Sequence, residues 1–116
     1  MKNKKNRKLN KTTEHRFAML RNMSTSLIEN ESVETTLAKA KELVKFASKI
    51  ITLAKKGGLT YRRRVLMDIK SPDAIEKLFG IITERYKDRP GGYTRIYKLG
   101  RRVSDGSEMA VVKLVE

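Results

Sequence analysis

The sequence predicts an α+β fold of four helices and a small three-stranded antiparallel sheet, preceded by a disordered basic N-terminal arm. Three observations predict it. Apolar residues recur at three- and four-residue intervals from Phe17 to Tyr86, the mark of amphipathic helices. Helix starts are signalled at Thr36 and at Ser71-Pro72-Asp73, and helix stops at Gly57-Gly58 and Pro90-Gly91-Gly92. Beyond that stop the pattern changes to β-rich runs around an Asp-Gly turn.

The opening stretch MKNKKNRKLNKT holds a single strong hydrophobe, Leu9, and burial cannot offset the entropy of ordering it. Residues 1–13 are therefore expected to be an arm that orders on binding, and residues 14–116 a single α+β domain. Thr12 or Thr13 offers an N-cap, and Glu14 complements the dipole of the helix that follows. Phe17, Leu20, Ser24, Leu27 and Ile28 place that helix over residues 14–30. The β-branched run Ser32–Thr36 suits a brief strand. Leu37, Ala40, Leu43, Val44, Ala47, Ile50, Ile51 and Ala54 then trace a long helix from the Thr36 cap to a glycine C-cap. Residues 59–70 read as a shorter helix, and the helix opened by Ser71-Pro72-Asp73 buries Ile75, Leu78, Phe79, Ile82 and Tyr86. Tyr93–Arg102 and Met109–Val115 form a hairpin over Ser104-Asp105-Gly106-Ser107, with the strand near Val33 as third member.

The 116 residues carry 27 Lys and Arg against 13 Asp and Glu, a formal net charge of +14. The excess is segregated. Residues 1–22 sum to +7, residues 55–64 to +5 and residues 85–102 to +6, leaving −4 on everything else. Concentrated like charge destabilises a compact chain by self-repulsion and is best relieved by closely spaced phosphates. The absence of cysteine excludes disulfides and thiolate chemistry, and one histidine with no tryptophan narrows catalysis further. No apolar run approaches the roughly 20 residues of a membrane span, and the basic start lacks the apolar core of an export signal. A cytoplasmic polyanion binder is the expectation, with no catalytic residue, no metal site and no cofactor.

His15 has only Glu14 beside it, about 100° away on a helix, which is no base-and-orienter pair. Gly57-Gly58 and Gly91-Gly92 fit no phosphate-loop pattern; the first pair reads as a helix cap. The second lies among Arg89, Tyr93 and Arg95, where glycine would admit a phosphate close to backbone N–H groups. In the long helix Lys41, Lys45, Lys49 and Lys56 share an arc opposite the apolar face, either a solvated stripe or a contact surface. His15, Met19, Asn22 and Ser26 form a second stripe on the first helix, suited to phosphate, 2′-hydroxyl and base edges. Alternation puts Tyr93, Arg95 and Tyr97 on one strand face and Ile96 and Lys98 on the other. Those tyrosines either stack on unpaired bases or cover a small core.

Taken together, these segments resemble one family, the bacterial-type large ribosomal subunit protein seventeen. The likeness runs nearly end to end. It is carried by Lys8-Leu9-Asn10-Lys11, His15-Arg16-Phe17-Ala18-Met19-Leu20-Arg21-Asn22-Met23 and Glu34-Thr35-Thr36-Leu37-Ala38-Lys39-Ala40-Lys41-Glu42-Leu43. Ile51-Thr52-Leu53-Ala54-Lys55, Lys77-Leu78-Phe79, Asp88-Arg89-Pro90-Gly91-Gly92-Tyr93-Thr94-Arg95-Ile96 and Met109-Ala110 extend it. The resemblance implies a structural protein that binds large-subunit ribosomal RNA on the outer face near the polypeptide exit, supporting assembly and translation. It also implies neighbours such as ribosomal proteins twenty-two and thirty-two. The arm departs from the family, which usually has a histidine near the start and a glycine before the arginine that is Arg7 here.

The expected RNA-binding residues begin with Lys2, Lys4, Lys5, Arg7, Lys8, Asn10 and Lys11 of the arm and His15, Arg16, Met19, Arg21, Asn22 and Ser26 of the first helix. Lys39, Lys41, Lys45, Lys49, Lys55, Lys56, Arg62, Arg63 and Arg64 follow, then Arg89, Gly91, Gly92, Tyr93, Arg95, Tyr97, Lys98, Arg101 and Arg102. A DNA-architectural protein would need a recognition helix with a docking motif or a dimer seam, and neither is visible. A membrane-surface protein would want Trp or Phe along the apolar boundary, where this chain has no Trp and three Phe. Neither DNA nor membrane is an expected partner.

Overall fold

The computed structural model describes residues 13–116; the arm residues 1–12, including the candidate cap Thr12, lie outside the described residues. Among the latter, the expected four helices and three-stranded sheet are present. Helix α1 spans Thr13–Asn30 and buries Leu20, Ser24, Leu27 and Ile28, the face its periodicity implies. Strand β1, Ser32–Thr36, follows after one residue. That residue, Glu31, has φ +62°, the only positive φ on a non-glycine among the described residues. Its N–H closes the helix on the Leu27 carbonyl at 2.7 Å, and its own carbonyl accepts from the N–H of Leu114 at 3.1 Å. A left-handed residue at this position reverses the chain from helix to strand in a single step.

Helix α2, Leu37–Lys56, starts where Thr36 Oγ1 accepts the N–H of Lys39 at 3.4 Å, and ends at Gly57, whose φ of +67° suits glycine. It buries Ala40, Leu43, Ala47, Ile50, Ile51 and Ala54 and packs on all three strands and on α1. Helix α3, Gly58–Leu66, is shorter than expected: the chain turns at Met67-Asp68 and drives Ile69, fully buried, into the core. Helix α4 covers residues 72–85 and begins as predicted, Ser71 Oγ accepting from the Ala74 N–H at 3.3 Å with Pro72 in the first turn. It is not uniform. Pro72–Lys77 is α-helical, Leu78–Ile82 is a π turn, and Thr83–Arg85 completes the helix. Gly80 sits inside the π turn, where glycine's weak helical preference leaves the backbone free to widen.

Strands β2 (Thr94–Arg101) and β3 (Glu108–Leu114) form the hairpin, and the sheet order is β1-β3-β2, antiparallel throughout. Ala110, Val112 and Leu114 of β3 face the helices, with Ile96 and Val33 paired across Val112. Fully burying a side chain such as Leu43 or Val112 contributes about 1.5–3 kcal/mol. Tyr86 and Tyr93 close one end of the core, with rings 5.2 Å apart. The Tyr86 hydroxyl donates to the Val115 carbonyl, and the Val115 N–H donates to the Tyr93 carbonyl at 2.9 Å.

Candidate nucleic-acid interface

The fold joins two of the three basic segments, which lie 20 residues and more apart in sequence. Lys55, in the last turn of α2, donates from Nζ to the Arg89 carbonyl and, at 3.0 Å, to the Tyr93 hydroxyl. Around the Gly57-Gly58 break a groove forms from Lys55, Arg62, Phe79, Thr83, Glu84 and Lys87. Arg62 lies 4.4 Å from the Phe79 ring centre and Lys56 lies 5.1 Å from that of Tyr61, so apolar rings hold both cations in place. Arg89, past the end of α4, lines a second hollow with Arg95, Tyr97, Lys113 and Glu116. Lys55, which lines the first hollow, is thus bonded to Arg89, which lines the second.

Which cations are available follows from their acids. Arg21 pairs with Asp68 at 2.9 Å, Lys87 with Glu84 at 3.3 Å, and Arg101 with Glu108 at 3.7 Å. Arg102 grips Asp105 with two hydrogen bonds, at 3.0 and 2.8 Å. That grip, aided by the Ser107 N–H, holds the Asp105 carboxyl well below the usual carboxylate range and raises Arg102. The two hairpin arginines are thereby neutralised locally. Among the described residues, Lys39, Lys41, Lys49, Lys56, Arg62, Arg63, Arg64, Arg89, Arg95 and Lys98 make no ion pair, and all but the half-buried Lys39 are exposed. These carry the unneutralised charge.

A third cationic rim lies between α1 and α2, where Arg16, Lys45 and Lys49 edge a cleft of about 130 Å³. Its wall includes Glu42, only 3% exposed, with Oε2 3.6 Å from Lys45 Nζ and without a hydrogen bond among the described residues. Periodicity alone marks position 42 as the flank of the apolar face, and nothing local signals a buried acid there. Lys113 was likewise missed: it stands alone in a β-rich run, and only strand pairing brings it opposite Arg95.

Several sequence expectations resolve differently. Tyr93 is 1% exposed and precedes β2 rather than sharing its outer face, so its ring covers the core and is closed to base stacking. Burial opposes ionisation of its hydroxyl, but Thr52 at 3.1 Å and Lys55 outweigh that and lower its pKa. Arg95 and Tyr97 stay exposed on the outer face, as alternation implies, although Lys98 is exposed too. In the α1 stripe, His15 and Asn22 are exposed, Ser26 is half-buried, and Met19, half-buried too, packs against the core. Gly91 is half-buried and Gly92 exposed with φ +63°. Replacing His15 and Asn22 together by Ala is expected to weaken RNA binding several-fold while shifting the melting temperature by less than about 2 °C. A large fall in melting temperature would show the stripe to be structural.

Among the described residues no group of acids and histidine could hold a metal ion, and no helix is long and apolar enough to cross a membrane. A small α+β scaffold that gathers cations from distant parts of its chain around neighbouring hollows defines the class as a compact, strongly basic α+β protein. The comparison with known families gives that class its identity. Residues 19–115 match the model of ribosomal protein L17, and the chain belongs to that family. It is 53% identical over 110 residues to the large ribosomal subunit protein bL17 of Anaeromyxobacter sp. (strain Fw109-5), covering 95% of this chain and 66% of that protein. Over 113 residues it is 50% identical to bL17 of Bradyrhizobium diazoefficiens and 51% to bL17 of Rhodopseudomonas palustris (strain BisB18). Those alignments cover 97% of this chain and 82% and 84% of the relatives. The chain is accordingly a ribosomal protein of a structural, non-enzymatic family.

Proposed function

We propose that the chain is a structural constituent of the large ribosomal subunit that binds the large, 23S-type ribosomal RNA. One observation carries this reading: a bL17-family chain with a net charge of +14 sets Lys55 and Arg62 in one hollow and Arg89 and Arg95 in another, with Lys55 bonded to the Arg89 carbonyl between them. The mechanism is neutralisation of crowded phosphates, with the folded part holding the cations in fixed geometry and the arm of residues 1–13 adding further charge. The family resemblance supports a seat on the outer face near the polypeptide exit, beside proteins such as twenty-two and thirty-two, and a part in subunit assembly and translation. In the cell this reading puts the chain in the cytoplasm, within the ribosome.

Sucrose-gradient fractionation of a cell lysate tests it. The expected result is co-migration with the large subunit at moderate salt and release only at high salt, since several phosphate contacts give a steep salt dependence. Recovery in the soluble or nucleoid fraction at moderate salt would overturn it.

A further inference from the structure

We propose that the outer face of the sheet is a seat for an unpaired RNA nucleotide, with Tyr97 as the stacking ring and Arg95, Lys113 and Arg89 as the cations around it. This rests on the reading of the chain as an RNA-binding ribosomal protein and adds to it the kind of RNA taken at one site.

Strand pairing builds the site. Tyr97 stands opposite Val111, and Arg95 stands opposite Lys113 one row along the same face. Residues of that parity point away from the helices, because Ala110, Val112 and Leu114 take the buried side of β3. Tyr97 is 47% exposed, which sets it apart from Tyr86 and Tyr93, both sealed in the core at 1%. Lys113 Nζ lies 5.8 Å from its ring centre, and Arg89 and Arg95 line the same hollow. At the far end of the row a bulge between Lys98 and Gly100 breaks the β2 register, with Gly100 at φ +98°.

The chemistry selects the occupant. A half-exposed aromatic ring offers a face, and three cations around it suit a phosphate and the electron-rich edges of a base. A duplex presents its phosphates but keeps base faces stacked, so it would use the cations and leave the ring idle. An apolar protein partner would have to desolvate Arg95 and Lys113, for which this face supplies few acids. Those acids are Glu116, which lines the hollow, and Glu34, which lies opposite Val111 on β1, two strands from Tyr97. Against three cations they leave the site positive.

The test uses the full chain with two RNA hairpins of identical stem, one blunt and one with a five-nucleotide single-stranded overhang, read by fluorescence anisotropy. A transcript of large-subunit rRNA is titrated in parallel. The wild type is expected to bind the overhang hairpin about 10-fold more tightly than the blunt one. Tyr97→Leu, which keeps apolar cover over Val111 without a ring, should erase that preference, and Tyr97→Phe should keep it. Ultraviolet crosslinks from the overhang should map to the segment containing Tyr97. Equal binding of the two hairpins, or equal loss in the Phe and Leu variants, would overturn the proposal while leaving rRNA binding standing. Failure of the wild type to bind the rRNA transcript at all would remove the underlying reading as well.

Discussion

Replacing Arg62, Arg63 and Arg64 by Ala is expected to lower the affinity for large-subunit rRNA about 100-fold near 150 mM monovalent salt. Each phosphate neutralised releases counterions worth about 1 kcal/mol at that concentration, so three contacts together contribute about 3 kcal/mol. The slope of log affinity against log salt should fall in magnitude by about two to three. Stability should fall by no more than about 1 kcal/mol, the loss of the Arg62 contact with the Phe79 ring, because all three side chains are exposed, make no ion pair among the described residues, and sit on a helix where Ala is the most favourable residue. The contrast lies in the hairpin. Arg101 and Arg102 are as basic in composition, yet Glu108 and Asp105 already neutralise them. Their double Ala variant should lose no more than a few-fold in affinity and leave the salt slope nearly unchanged. Titration of both variants against one transcript at several salt concentrations separates the cases. Equal losses would mean that net charge, and not the arrangement of unpaired cations, governs binding.

That contrast shows where reading from residues alone reaches its end. Signals that act within one turn were legible: the Thr36 and Ser71 caps, Pro72 in the first turn and Gly57 after α2 all appear with the bonds expected of them. The hydrophobic stripes of α1 and α2 were legible because burial against one face repeats with the helix. The family was legible for a different reason, since many short matches in order leave little room for accident. What escaped depends on contacts between distant residues. Whether a lysine or arginine is free or paired is decided by the acid that folding brings beside it, as Asp68 meets Arg21 across 47 positions. Tyr93 leaves the alternation of the strand because Thr52 and Lys55, some 40 positions earlier, hold its hydroxyl. The π turn at Leu78–Ile82 left no trace in periodicity, because Leu78 and Ile82 stay four apart and both remain buried.

Glu31 is the clearest case of a residue that sequence could not mark, and it carries the second large effect. It holds a left-handed conformation that costs a non-glycine residue about 1–2 kcal/mol, yet a glutamate stands there. Its carboxylate explains why. Arg85 donates two hydrogen bonds to it, at 2.7 and 3.1 Å, and Lys77 Nζ lies 2.9 Å away, so the α1–β1 corner is bolted to α4. The Arg85 hydrogen bonds first, then Lys77, hold the Glu31 pKa down to about 2 from an ordinary 4.5. A folded-state pKa below the unfolded one means that the stabilisation is fully present above about pH 4.5 and is lost as pH falls toward 2. With the carboxylate about one-third exposed at 32%, solvent screening reduces the effect to about 1–2 kcal/mol. Glu31→Gln is therefore expected to cost about that much at pH 7 and to flatten the stability profile between pH 4.5 and 2. Glu31→Gly should lose the same ion pairs but recover most of the backbone strain, leaving it more stable than the Gln variant. Urea unfolding of the three proteins across that pH range decides the matter. If the Gln variant kept the acid-limb slope of the wild type, another carboxylate would be setting the acid stability and the corner would be held by its backbone alone.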